Sequence, residues 1–169
     1  MELTADSIDE FYIAYFEAMA SQHCGHVINA PKPHFYVNNF IDSLSEINDA
    51  IRSKLSPEGF SMILDTFDDQ IDMNDAMPGI LSGAFSIIAK FDSRNPASIR
   101  AVRSSCRAKA RTVLMQMKRD TFALNEGVLS EKQIEVIDNA DGMRLGVIGD
   151  TFSGWAYTFK WRYPEHLFF

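Results

Sequence analysis

The sequence predicts an α+β fold, with helices packed on a mainly antiparallel sheet. Three observations carry this expectation. Residues 154–164, GWAYTFKWRYP, alternate strictly: Trp155, Tyr157, Phe159, Trp161 and Tyr163 are aromatic, and Ala156, Thr158, Lys160 and Arg162 between them are small or polar. A period of two marks a half-buried strand, because successive side chains point to opposite faces. At Asn95 a different period begins. Asn95 is an N-cap and Pro96 takes the first helical position, where the N–H it lacks would have no partner. Ile99, Val102, Cys106, Ala110, Val113 and Met117 then share one helical face. The third observation is the order of elements: helix, helix, strand, strand, helix, strand, strand.

In chain order, the first helix spans about residues 7–20. Ser7 and Glu10 fit a capping box, in which each side chain satisfies an N–H at the helix start. Ile8, Phe11, Tyr12, Tyr15, Phe16 and Met19 follow at helical spacing. Pro31 and Pro33 force an extended path, and HFYV after them suits a short strand. A second helix is predicted over residues 39–55, with Phe40, Ile41, Leu44, Ile47, Ile51 and Leu55 as its apolar stripe. Pro57 and Gly59 end it. The next strand places Phe60, Met62 and Leu64 on one face and Ile63 on the other. ILSGAFSIIAKF is another strand, with Leu81, Phe85, Ile87 and Phe91 together. An acidic loop, DDQIDMNDAMPG, lies between them. The long helix is expected to end between residues 121 and 125. KQIEVI then predicts a short strand, NADG a turn, and MRLGVIGD a strand or loop ahead of the aromatic strand, residues 154–163. That strand's rings are expected to pack beneath the helices.

The chain has 169 residues, a length that suits one domain over residues 1–169. Its hydrophobic content of 46% is ordinary for a globular core. The net charge of −7 argues against general binding to nucleic acid or anionic membranes. No apolar run approaches the roughly 20 residues of a membrane span, and the acidic start, MELTADSIDEF, lacks the basic and apolar regions of a signal peptide. Cys24 and Cys106 lie far apart, so two free thiols in a reducing compartment are expected.

Candidate chemistry is sparse. His23, Cys24 and His26 in HCGH have zinc-type donor atoms, but no second ligand pair accompanies them, and His34 and His166 stand apart. Asp65, Asp68, Asp69, Asp72 and Asp75 lack the glycine and terminal glutamate of a calcium loop, so a hydrated acidic loop is expected. GVIGDTFSG lacks the arrangement of a nucleophile elbow. Cys106 falls on an apolar helix face, as a small core residue does. No motif requires a cofactor or a metal.

Charge is distributed unevenly. Residues 94–119 hold eight basic side chains and no acidic one, inside a chain of net charge −7. On a helical wheel Arg100, Arg103, Arg107, Arg111 and Lys118 form one stripe beside the apolar face. Such a stripe suits a solvated helix face, a contact with an acidic surface, or a sequence-independent contact with phosphate.

HFYVNNFIDSLSEINDAIRSKL, GFSMILDTF, GAFSIIAKF, the long helix ending MQMKRD, and GWAYTFKW together resemble small phage and prophage proteins of Bacteroidetes-type genomes. Their element order is similar to that of tail-terminator and tail-completion proteins of long-tailed phages. The resemblance covers about residues 34–163 and rests on hydrophobic pattern and element order. It implies a non-enzymatic virion protein of the tail or neck, made in the bacterial host cytoplasm. It implies self-association into a ring, commonly a hexamer, that caps the tail tube and joins it to the connector. The expected partners are tail-tube and neck proteins and, through a sequence-independent contact, DNA in the channel, with no membrane. In a head-to-tail ring, the basic stripe of one subunit would meet the aspartates of the next. Two alternatives stay open: a small assembly adaptor or chaperone, and a metal-dependent hydrolase that uses the 65–75 carboxylates.

Overall fold

The computed structural model of the chain describes residues 8–39, 44–73, 77–125 and 134–163. The elements run α1 (Ile8–Cys24), β1 (Phe35–Asn38), α2 (Leu44–Lys54), β2 (Phe60–Asp65), β3 (Asp68–Ile71), β4 (Gly79–Lys90), α3 (Pro96–Asn125), β5 (Glu135–Arg144) and β6 (Phe152–Tyr163). The strands form one sheet in the order β1-β2-β4-β6-β5, and β3 pairs with β4 beyond the end of β2. β1 and β2 are parallel, and the other pairs are antiparallel. The fold is therefore α+β on a mainly antiparallel sheet, as the sequence predicts.

The β4–β6 ladder is the spine. It runs without a break from Gly79↔Tyr163 to Lys90↔Phe152 and brings Leu81 opposite Trp161 and Phe85 opposite Tyr157. Large side chains directly opposite one another are a main source of sheet stability. Alternation sends the odd-numbered residues of both strands to one face, where α1 and α3 cover them. Phe11, Tyr12, Tyr15, Phe16 and Met19 of α1, and Cys106, Ala110, Val113 and Met117 of α3, bury themselves against Phe85, Tyr157, Phe159 and Trp161. Small residues at 106 and 110 let α3 lie close to the rings.

Trp161 sits in the middle of this cluster. The Phe16 ring stacks on it at 5.7 Å and 12°, and Tyr12 meets it edge-on at 5.7 Å. Its indole N–H donates to Met117 Sδ at 3.1 Å. The phenols of Tyr12 and Tyr15 also reach polar partners, the Asp65 carbonyl at 2.8 Å and Asp120 Oδ2 at 2.7 Å. Buried aromatics keep their polar ends satisfied in this way.

Among the described residues, the opposite face is covered at one end. There Ile51 and Leu55 pack on Ile63, Ile88 and Phe152. Farther along, Thr158, Lys160 and Arg162 are exposed. One packed face and one solvated face are common in antiparallel sheets.

Several boundaries differ from expectation. α1 extends to Cys24, about one turn past residue 20. Ser7 of the capping box lies outside the described residues. Asn39 is not helical, α2 is helical from Leu44, and Phe40 and Ile41 lie outside the described residues. The acidic segment is not all loop: Asp68 to Ile71 form β3. Their β-propensity is low, but the long β4 supplies a template that reaches past β2, and pairing outweighs propensity. NADG is not a turn but part of β5. Asp138 takes φ 58° and the register shifts between Ile137 and Asp141, so the turn-forming residues build a bulge. Lys132 and Gln133 of the predicted KQIEVI strand lie outside the described residues. Phe91 falls just past β4, where its N–H donates to Thr151 O at 2.9 Å.

Candidate functional site

Packing of α3 divides the basic run into two groups. Arg103 turns toward the sheet. Its Nε donates to Leu145 O and Ser153 Oγ, both at 3.0 Å, and its Nη2 donates to Leu145 O at 2.7 Å. Leu145 follows the end of β5, so the guanidinium latches the helix to the β5–β6 connection. The Arg107 guanidinium lies 5.4 Å from the Trp155 ring centroid, and the Lys109 ammonium lies 5.3 Å from that of Phe60. Both are cation–π contacts within the chain. This corrects the reading of Arg103 as part of an outer stripe, since its hydrogen bonds serve the monomer. Arg107 has an exposed side but an intramolecular role as well. Arg100, Arg111 and Lys118 remain exposed.

Arg111 and Lys118 line a groove of about 340 Å³ between α3 and β5, with Leu114, Met115, Ala140 and Tyr157. Sequence reasoning passed over this groove. Its β5 side exists because the 138–140 bulge bends the strand, and its floor is a Tyr157 ring that alternation alone assigns to the core. An exposed methionine on the charged side of the helix, Met115 at 62%, is the signal that could have found it.

The aspartates do not converge on one point. Asp65 ends β2 on the face away from α1 and α3, half-buried, and its Oδ1 accepts from Asn38 Nδ2 at 3.1 Å. Burial holds its carboxyl above the usual carboxylate range. Asp68 and Asp69 are exposed on β3, opposite Ser82 and Leu81, so they point to different faces. The Asp72 N–H donates to Pro78 O at 2.9 Å, one residue beyond the β3–β4 ladder on each strand. Asp75 lies outside the described residues. Asp65 and Asp68 share a hollow of about 280 Å³ with Ser82, Asp141, Thr158 and Lys160 on the open sheet face. Among the described residues, no three His, Cys, Asp or Glu side chains are grouped to hold a metal ion.

The HCGH residues are drawn into the fold. His26 is buried, its Nε2 lies 3.1 Å from Glu17 Oε1, and its Nδ1 accepts the His34 N–H at 3.3 Å. His34 in turn places Nδ1 2.8 Å from Phe60 O. Together these contacts fix the turn that carries Pro31 and Pro33 to β1. The pKa of His23 is lowered, first by burial and then by Lys109 and Arg119. Cys24 and Cys106 are buried free thiols, and burial pushes each up to about 12. A thiol so disfavoured as thiolate is a poor nucleophile. His166 lies outside the described residues.

The two charged surfaces sit at opposite edges of the sheet. The acidic β3 strand borders β4 on the side away from β6, whereas the basic groove overlies β5 beyond β6. No described helix is long and apolar enough to cross a membrane. Compared with known proteins, the chain matches no protein-family model and no curated sequence.

Proposed function

We propose that the chain is a ring-forming structural subunit of a phage-type tail, a terminator or neck protein that caps the tail tube and joins it to the connector. The observation that carries this reading is the placement of opposite charge at opposite edges of one sheet. An acidic strand and a basic groove on different sides of a monomer cannot neutralise each other within it. They suit head-to-tail contact between copies, which closes a ring when the rotation per subunit is right. The resemblance of the strand and long-helix order to tail-completion proteins supplies the setting. The work of such a protein is done by self-complementary surfaces, which suits a chain whose His26, His34, Cys24 and Cys106 serve its own packing.

Deleting the gene from the phage or prophage that carries it tests this reading. The expected result is tail tubes of irregular length, unjoined to heads, with normal tails restored when the protein is supplied in trans. Negative-stain microscopy of the purified chain, alone and with tail tubes, should show rings with a central channel. Normal infectious particles from the deletion strain would exclude the function. An adaptor or chaperone would instead leave the chain out of finished particles, which mass spectrometry of purified virions detects.

A further inference from the structure

We propose that Arg103, Arg107 and Arg144 form a binding site for a phosphate group beside Trp155, at the end of β5. The site does not depend on ring formation. It lies one turn along α3 from the groove that Arg111 lines.

Strand register brings the three side chains together. Arg144 on β5 is paired with Trp155 on β6, so the two share the helix-facing side of the sheet with Cβ atoms about 5 Å apart. Arg103 and Arg107 are one turn apart on α3, with Cβ atoms about 6 Å apart. The Arg107 guanidinium lies 5.4 Å from the Trp155 ring centroid. Arg103 Nε lies 3.0 Å from Ser153 Oγ, two residues before Trp155 on the same face. Two guanidiniums from the helix and one from the strand therefore surround one indole.

No described carboxylate balances this charge. None of the three arginines makes an ion pair among the described residues. Asp138 lies 3.8 Å from Lys160, and Asp150 lies 2.7 Å from Arg52. Asp141 is opposite Thr158, on the other face of the sheet. Arg103 is half-buried, and its described partners are a carbonyl and a hydroxyl. A charged side chain drawn into a fold is ordinarily paired. All three cations are arginines, whose planar guanidinium donates two parallel hydrogen bonds to phosphate oxygens. The bonds within the chain use Nε and Nη2 of Arg103, which leaves Nη1 to donate to a ligand. A phosphate group comes either as a free phosphate compound or as a unit of a nucleic-acid backbone, and the recognising chemistry is shared.

Trp155 supplies the readout. Of the two tryptophans, Trp161 is 1% exposed in the core, so a ligand at this site changes the emission of Trp155. The full chain is titrated at low salt with inorganic phosphate and, separately, with a short oligothymidylate, by fluorescence and by calorimetry. At least one probe should give a saturable emission change that Trp155→Phe abolishes. Binding should weaken roughly tenfold or more in Arg107→Gln and in Arg144→Gln, each checked for native circular dichroism. In Arg111→Gln it should weaken by less than about twofold. Saturation by inorganic phosphate assigns the site to a free phosphate compound. Saturation by the oligonucleotide alone, with a logarithmic salt slope about 0.7 smaller in Arg144→Gln, assigns it to a nucleic-acid backbone. Neither heat nor emission change with either probe overturns the site. So does binding that Arg111→Gln weakens as much as Arg144→Gln, because diffuse attraction to a basic helix then accounts for it.

Discussion

At Arg103 a side chain reinforces the end of the β5–β6 ladder. The segment after β5 leaves Leu145 O near the buried Ser153 hydroxyl, and the guanidinium supplies donors to both. Hydrogen bonds to a charged group contribute about 1.5–3 kcal/mol. Arg103→Ala should therefore lower stability in urea by about 2 kcal/mol, whereas Arg100→Ala, at an exposed position, should change it by less than about 0.5 kcal/mol. Equal effects would remove the distinction between the two. Asp65 makes the opposite contribution. Because burial raises its pKa in the folded state, the folded chain binds that proton more tightly than the unfolded chain. Stability from this group is greatest at low pH and declines as pH rises through the raised value. Asp65→Asn, which keeps an acceptor for Asn38, should raise the melting temperature at neutral pH, and the gain should shrink as pH approaches about 4. A gain that is constant with pH would point to a cause other than ionisation.

Among the elements, the β4–β6 ladder governs whether the chain folds. Its closest backbone approach is at Gly154, where an added Cβ would run into the Ile87 carbonyl. That atom belongs to the main chain of the central strand and cannot swing away as a side-chain tip can. Gly154→Ala should cost about 3 kcal/mol or more, in the range of the largest single-site effects, or prevent folding. Gly146→Ala, with nothing within 4 Å, is the matched control and should be near neutral. Denaturation curves of the two variants decide the point. Trp161, 1% exposed, is held on three sides by Phe16, Tyr12 and Met117. Its replacement by alanine should cost roughly 3–5 kcal/mol.

For the whole molecule, the edges of the sheet carry the consequence. β5 is an edge strand with Glu135, Asp138 and Asp141 and a bulge. Those features oppose indiscriminate strand-to-strand pairing. On the proposed reading, contact between copies runs through side chains, acidic on β3 and basic in the α3–β5 groove. Self-association through such surfaces should weaken as salt rises from about 0.05 M to 0.5 M, because screening shortens the reach of exposed charges. Light scattering at matched protein concentrations measures this. Association that strengthens with salt would signal an apolar interface and exclude the charged one.

Elements that bury one face along a regular period could be read directly from the order of residues. The aromatic strand, the 96–125 helix and the Phe60–Leu64 strand were legible because local alternation or helical spacing reports burial directly. The charge asymmetry was legible too, since it needs only counting. The other features emerge only on folding, because each one depends on a partner far away in the chain. DDQI becomes a strand only because β4 extends past β2 and offers it hydrogen bonds. NADG becomes a bulge only because β6 continues to pair on both sides of it. Arg103 and Arg111 are two helical turns apart on one predicted stripe. Only the position of α3 over the sheet makes the first a latch on Leu145 and leaves the second at the rim of a groove.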